Sequence, residues 1–538
     1  MKTVKGIIVD PIKSETFSGE VVVEHGRIKQ IKKADDVPQR YILPGMVDAH
    51  IHIESSMLIP SEFARLAVQH GTVATVSDPH EIANVCGKEG VEYMIENGKK
   101  VPLKFYFGAP SCVPATPFET AGAVLDVDDV KELLERDEIH YLAEMMNWPG
   151  VLNDDPDVLA KIEAALKLGK PVDGHAPGLN GERARKYASA GITTDHESFT
   201  RQEAIDKLEA GMLIAIREGS AAKNYEALID LLKDYPGKMM FCSDDKHPDD
   251  LLRGHINEIV SRTLARGFDL YDVLHASSVL PVQHYKLKVG LLQPGDPADF
   301  IIVDNPESMN VLETWIDGEQ VYDNDTVRFG DIASSRINNF KSYEVSAEDF
   351  KLYSENQDQQ IIVANDGELI TGSKTVTLQI KDGEVLAAPE KDILKIAVVN
   401  RYEKQPPAVG FITNFGLKNG AIASSVGHDS HNIIVVGTSD EFLSRAVNLI
   451  MENEGGISAV HGENEDVLPL PIGGIMSDDS GEIVARGYER LSKISREMGS
   501  TLKAPFMLIS FMALLVIPSL KMSDKGLFDG ENFKFVDQ

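Results

Sequence analysis

Cysteine is scarce in this chain. Cys86, Cys112 and Cys242 are the only three in 538 residues and no two make a CxxC pair, which excludes a disulfide framework and leaves reduced thiols in a cytoplasmic protein as the expectation. Positive charge is scarce too: 53 Lys and Arg stand against 84 Asp and Glu, a net charge of −31. So acidic a surface repels phosphate backbones and anionic lipid, so neither nucleic acid nor a membrane is an expected partner. Long apolar runs are missing. The N-terminal MKTVKGIIVDPIKSE has neither the apolar core nor the small-residue cleavage site of a signal peptide. The most apolar stretch, 505–520, contains two serines; it falls short of a bilayer span and reads as a buried element.

What is present is a change of texture along the chain. The first forty-odd residues alternate apolar and polar (VKGIIVD, then GEVVVEHGRIKQIKK), the pattern of short antiparallel strands with a turn at His25-Gly26. From Gly45 onward short apolar strands alternate with helical patterns. Strands are expected at 46–52, 73–77, 103–107, 141–145, 171–175, 192–196, 212–216 and 239–243, with amphipathic segments such as SEFARLAVQH, VLAKIEAALKLG and RQEAIDKLEAG between them. Eight strands alternating with helices over about 250 residues predict a (β/α)₈ barrel of the TIM type. A doubly wound open sheet fits less well, because no Gly-rich phosphate loop follows the first strand. The barrel is assigned to 45–290. Residues 1–44 and 291–335 are read as one small composite β domain, and 336–538 as a C-terminal α/β domain. The fold class is therefore α/β.

The chemistry is concentrated at the strand ends. His50 and His52 close the first strand in PGMVDAHIHIES; residues i and i+2 of a strand face the same side, so both imidazoles can point into the barrel mouth. Later strands end on Glu144 (YLAEMMNWPG), His175 (PVDGHAPG), His196 (ITTDHES) and Asp244 (MMFCSDDKHP), while the seventh ends without a ligand. The C-terminal ends of barrel strands are where such active sites lie. Six metal-binding side chains recurring in that register are hard to explain as packing.

This set resembles the amidohydrolase superfamily: HxH on strand one, a carboxylate on strand four, histidines on strands five and six and an aspartate on strand eight. PGDPADFIIVD resembles that family's return into its small β domain. Most binuclear members bridge their metals with a carboxylated lysine, whereas here Glu144 stands in that place. With HIHIESSM, SDPHEIANV, HAPGL, DHES and CSDDKHPDDLL, and with SSVGHDSHNIIVVG and LPLPIGGIMSD farther on, the chain is similar to the adenine deaminases over nearly its whole length. The resemblance implies two divalent ions, Mn²⁺ or Fe²⁺ rather than Zn²⁺, held by His50, His52, Glu144, His175, His196 and Asp244. It implies adenine as small-molecule substrate and a homodimer or higher homo-oligomer. Asp244 is read as the proton shuttle, and Glu54, which follows the HxH pair directly, as the first candidate, Glu81 the second, to protonate the ring nitrogen.

His80, Glu81 and Asp245 are read as substrate-binding residues at the barrel mouth, although Asp78-Pro79 alone would be a turn and helix start. Ser55 and Ser56 are read as helix caps. His428, Asp429 and His431 lack the companions of a second metal site and are read as a loop folding over the barrel. Two other readings are a cyclic-amide hydrolase of the same superfamily, which usually carries the lysine absent here, and a non-catalytic barrel-shaped assembly protein, in which ligand positions would be lost.

Overall fold

The computed structural model describes residues 1–536. Eight parallel strands, Met46–Ile51, Thr72–Ser77, Lys104–Ala109, Ile139–Met145, Val172–Gly174, Thr194–Asp195, Leu213–Arg217 and Met239–Cys242, follow one another with helices between. Neighbours pair in chain order as a run of five and a run of three. The two runs are joined where Thr193 N–H donates to Val172 O at 2.9 Å, and the ring closes where Ile51 bridges Asp244. These strands are buried along almost their whole length, as expected where helices cover one face and the barrel interior fills the other. The seventh strand lies one residue later than its apolar pattern suggested, so it ends on Arg217.

Strands from both flanks of the barrel make one eight-stranded sheet. Lys2–Asp10, Glu15–Glu24, Arg27–Lys33 and Tyr41–Pro44 join Phe300–Val303, Val311–Ile316, Glu319–Asp323 and Thr326–Val327, with the seam between Tyr41–Pro44 and Phe300–Val303. His25 and Gly26 both have positive φ, 51° and 76°, the backbone a two-residue hairpin turn requires. Beyond residue 350 a second eight-stranded sheet runs from Gly372–Thr377 at one edge to Asn464–Pro469 at the other. Helix Asp440–Glu452 packs on it, its first turn capped by Ser439, whose hydroxyl accepts from Phe442 N–H.

The apolar 505–520 stretch forms the short helix Pro505–Ser510 and a 3₁₀ turn, Phe511–Ala513, both buried. No helix among the described residues is long and apolar enough to cross a membrane. This C-terminal part rests on the mouth of the barrel. Ser477 exchanges backbone hydrogen bonds with Met57 and Ile59, at 2.8 and 3.3 Å, and Asn432 Nδ2 donates to Thr120 O at 2.8 Å.

Candidate metal-dependent active site

Alternation along the first barrel strand puts Asp48, His50 and His52 on the inner side. Asp48 locks the strand end: its Oδ1 accepts from Ser243 N–H at 3.0 Å and its Oδ2 meets His255 Nε2 at 2.8 Å. The eighth strand is thereby tied to the first. Asp244 follows with φ of 54°, a left-handed conformation that aspartate tolerates better than most residues. Two backbone bonds hold it there, Asp244 N–H to His50 O at 2.9 Å and His52 N–H to Asp244 O at 3.3 Å.

The six expected ligands converge. Glu144 lies at the centre: its carboxylate is 3.0 Å from His196 Nε2, 3.1 Å from His175 Nδ1, 3.6 Å from His50 Nε2 and 3.7 Å from His52 Nε2. Asp244 Oδ1 lies 3.2 Å from His52 Nε2 and 3.4 Å from His50 Nε2, and those two nitrogens are 3.2 Å apart. All six side chains are buried. His52 Nδ1 faces the Asp78 carbonyl at 3.1 Å; donating there fixes the tautomer that leaves Nε2 free as a ligand. Four imidazoles and two carboxylates aimed at one small volume, with nitrogens facing each other as well as oxygens, fit a divalent-cation site better than a hydrogen-bond network. Overlapping triads, among them His50-His196-Asp244, His50-His52-Glu144 and Glu144-His175-His196, each have donor atoms close enough to share an ion.

Charge around the ligands is compensated asymmetrically. Burial pushes both carboxyls up, but the His175 and His196 imidazoles hold Glu144 well below the usual range, and the Arg217 guanidinium does the same for Asp244. Arg217 is fully buried, donates to Asp244 Oδ2 at 2.7 Å and pairs with both oxygens of Glu197. Neither Arg217 nor Glu197 was singled out from the sequence. The signal was there: Arg217 ends an otherwise apolar strand, LIAIR, in the register of the ligands on the other strands, and Glu197 follows His196 directly.

The remaining expected residues separate. His80, Glu81 and Asp245 line the pocket beside the ligands, together with Met146, Leu369, Phe511 and Leu514. Glu54 does not line it. One of its oxygens accepts from Ile82 N–H at 3.2 Å, the other has no partner among the described residues, and burial raises the carboxyl to about 7. Neither serine caps a helix, contrary to the expectation: both lie within the 3₁₀ turn Ile53–Ser56, where Ser56 Oγ donates to Ile53 O at 2.6 Å and Ser55 Oγ donates to Asp245 at 2.5 Å and so orients that carboxylate. The HDSHN segment reaches into the mouth. His428 Nδ1 and His431 Nε2 each grip one oxygen of Glu81, and Asp429 Oδ1 lies 3.5 Å from His80 Nε2. Despite burial, Glu81 raises His428 to about 9, while burial leaves His431 lowered. Of the two imidazoles, His428 is the one whose surroundings favour the charged form.

Comparison with known proteins agrees with this geometry. The amidohydrolase family profile matches residues 41–321, and the profile of the adenine deaminase C-terminal domain matches residues 368–534. Among curated relatives, an adenine deaminase of Salinibacter ruber is 54% identical, with 100% of this chain and 98% of that protein covered. One of Sulfurovum sp. is 56% identical over 99% of each chain. One of Methanosarcina barkeri is 52% identical over 100% of this chain and 99% of its own. A likeness of this depth, spanning the barrel that bears the candidate ligands and the C-terminal part that reaches over them, places the chain in the amidohydrolase family, among its adenine deaminases.

Proposed function

We propose that the chain hydrolyses the exocyclic amine of adenine, yielding hypoxanthine and ammonia, at a site where His50, His52, Glu144, His175, His196 and Asp244 hold up to two divalent ions. The observation that carries the reading is Glu144: an unmodified carboxylate stands within 3.7 Å of four ligand imidazoles, where it can serve two cations at once. The full-length likeness to proteins named adenine deaminases supports the substrate. A ligand set of imidazole and carboxylate is compatible with manganese or ferrous iron, which the family resemblance favours over zinc. When bound, such ions polarise the scissile centre and bring the pKa of water toward neutrality.

The chain's own residues supply positioning and protons. Asp244, kept ionised by Arg217, accepts the proton of the attacking water and delivers it to the departing amine. The ring nitrogen beside C6 must gain a proton as attack proceeds. Glu81 with protonated His428 is the donor group that lines the pocket. Glu54, though near neutrality, is not among the lining residues and supports Glu81 through the start of the helix that carries it. Asp245, oriented by Ser55, offers an acceptor to a ring N–H. Met146, Leu369, Phe511 and Leu514 give the ring an apolar surround.

A panel assay for ammonia release from purines and pyrimidines tests the assignment. Adenine should be the preferred substrate, and adenosine, with a ribose at N9, should be rejected by the closed pocket. Release of ammonia from pyrimidines but not from adenine would overturn it.

A further inference from the structure

Lys521 lies in the short strand Leu520–Ser523, with its side chain fully buried. Burial alone pushes its ammonium down to about 7, and among the described residues no carboxylate acts against that shift. An amine buried without a counter-ion is costly unless hydrogen bonds replace its water. Its Nζ donates to Leu369 O at 2.6 Å and to Phe511 O at 2.9 Å. The owners of those two carbonyls come from segments far apart in sequence, and both line the catalytic pocket. Thr371 reinforces the tie: its Oγ1 donates to Leu520 O at 2.7 Å and its N–H to Pro518 O at 3.2 Å. Lys521 thus fastens together, from behind, the two pieces of the roof over the site.

The roof is also a partition. Beneath it the catalytic cavity is the smaller one, about 30 Å³. On its other side a cavity of about 310 Å³, walled by Ser220, Asp366 and Lys503 among others, shares Phe511 with the catalytic pocket. The Phe511 ring packs against His428, 5.4 Å between centroids, so movement of the roof is felt by the Glu81–His428 pair. A base entering from that side must move Phe511 away from Leu369, and it does so against the Lys521 tie.

We propose that Lys521 is a positioning residue that joins Leu369 to Phe511 and so sets the height of the roof above the bound base, and that the 310 Å³ cavity beyond Phe511 is the way in. The tie excludes purines substituted at N9, because the roof must close fully for Phe511 to seat against His428. This proposal rests on the adenine reading above.

The test is steady-state kinetics of the metal-loaded full chain with adenine and with 9-methyladenine, for Lys521→Met and separately for Phe511→Ala, joined to hydrogen exchange of the Lys521→Met protein. Lys521→Met should raise KM for adenine about tenfold while kcat stays within about threefold, the signature of lost ground-state and transition-state binding alike. The preference for adenine over 9-methyladenine should fall about tenfold as well. Amide exchange should speed up in 366–371 and 505–515 and not across the barrel. A folded Lys521→Met protein with unchanged KM, unchanged discrimination and unchanged local exchange overturns the proposal. If that variant does not fold, Phe511→Ala decides: continued full rejection of 9-methyladenine overturns the roof. Failure of the wild-type protein to deaminate adenine would sink the functional reading instead, while the exchange measurement would still report on the tie.

Discussion

Arg217→Met removes the guanidinium that pairs with Asp244 and Glu197 while roughly preserving side-chain length. Arg217 is 1% exposed, and it donates to Asp244 Oδ2 at 2.7 Å and to Glu197 Oε2 at 3.2 Å. Removing one partner of a buried ion pair, and so leaving its carboxylates uncompensated, costs about 3–5 kcal/mol. For a barrel-sized domain that corresponds to a fall in Tm on the order of 10 °C. The fall should be larger in chelator-stripped protein than in metal-loaded protein, where bound cations take over part of the compensation. The pH dependence follows from the direction of the shift. Asp244 is held well below its ordinary range, against burial, chiefly by Arg217, so its stabilising ionisation is complete above the unfolded-state pKa and is lost as pH falls through the depressed folded value. Without Arg217 that depression shrinks, so the acid limbs of stability and of kcat/KM should both move to higher pH. Differential scanning calorimetry with and without chelator, and a pH–rate profile, read both effects. A variant with wild-type Tm in stripped protein and an unmoved acid limb would refute the assignment of Arg217 as the partner that keeps Asp244 ionised.

Three further substitutions probe the site. Glu144→Gln keeps the shape of the central residue and removes its charge, so metal content and turnover should fall together, and wild-type activity should not depend on bicarbonate; full metal loading with normal turnover in the variant would disprove the bridge. Asp244→Asn should lower kcat by on the order of 10² or more, the scale of a lost general base, with KM less affected; normal kcat with weakened binding would remove the proton-shuttle role. His428→Gln, which takes the proton from the Glu81 pair, should lower kcat for adenine by on the order of 10-fold to 10²-fold, within the span of general-acid contributions, and an unchanged kcat would detach that pair from the chemistry.

The barrel was legible because its signals are local. Apolar runs of four to seven residues alternate with helical periodicity, and each ligand sits at a strand end where i and i+2 geometry fixes its side. His50, His52, Glu144, His175, His196 and Asp244 meet as that register requires. The composite sheet was legible for the same reason, down to the turn at His25-Gly26. What lay beyond reach were contacts between segments hundreds of residues apart. Glu81 starts a barrel helix, and nothing local says that His428 and His431, roughly 350 positions later, will clamp its two oxygens. Arg217 escaped notice because a strand-end search for metal ligands passes over a cation, although the cation balances the site. Glu54 was read as a candidate from its place two residues after His52; on the 3₁₀ turn Ile53–Ser56 its carboxyl accepts from Ile82 N–H, a contact with the next helix that nothing local in the sequence signals. Lys521 had no sequence signal, since its two acceptors are backbone carbonyls.

The central claim is that six side chains brought together at the barrel mouth hold divalent metal for the deamination of adenine. It is tested most directly by following the conversion of adenine to hypoxanthine by one protein preparation as isolated, after chelator stripping, and after reloading with Mn²⁺ or Fe²⁺, with bound metal measured at each stage. The account predicts turnover that disappears with the metal and returns with it, at up to two ions per chain. Undiminished conversion of adenine by protein shown to contain no transition metal would contradict it.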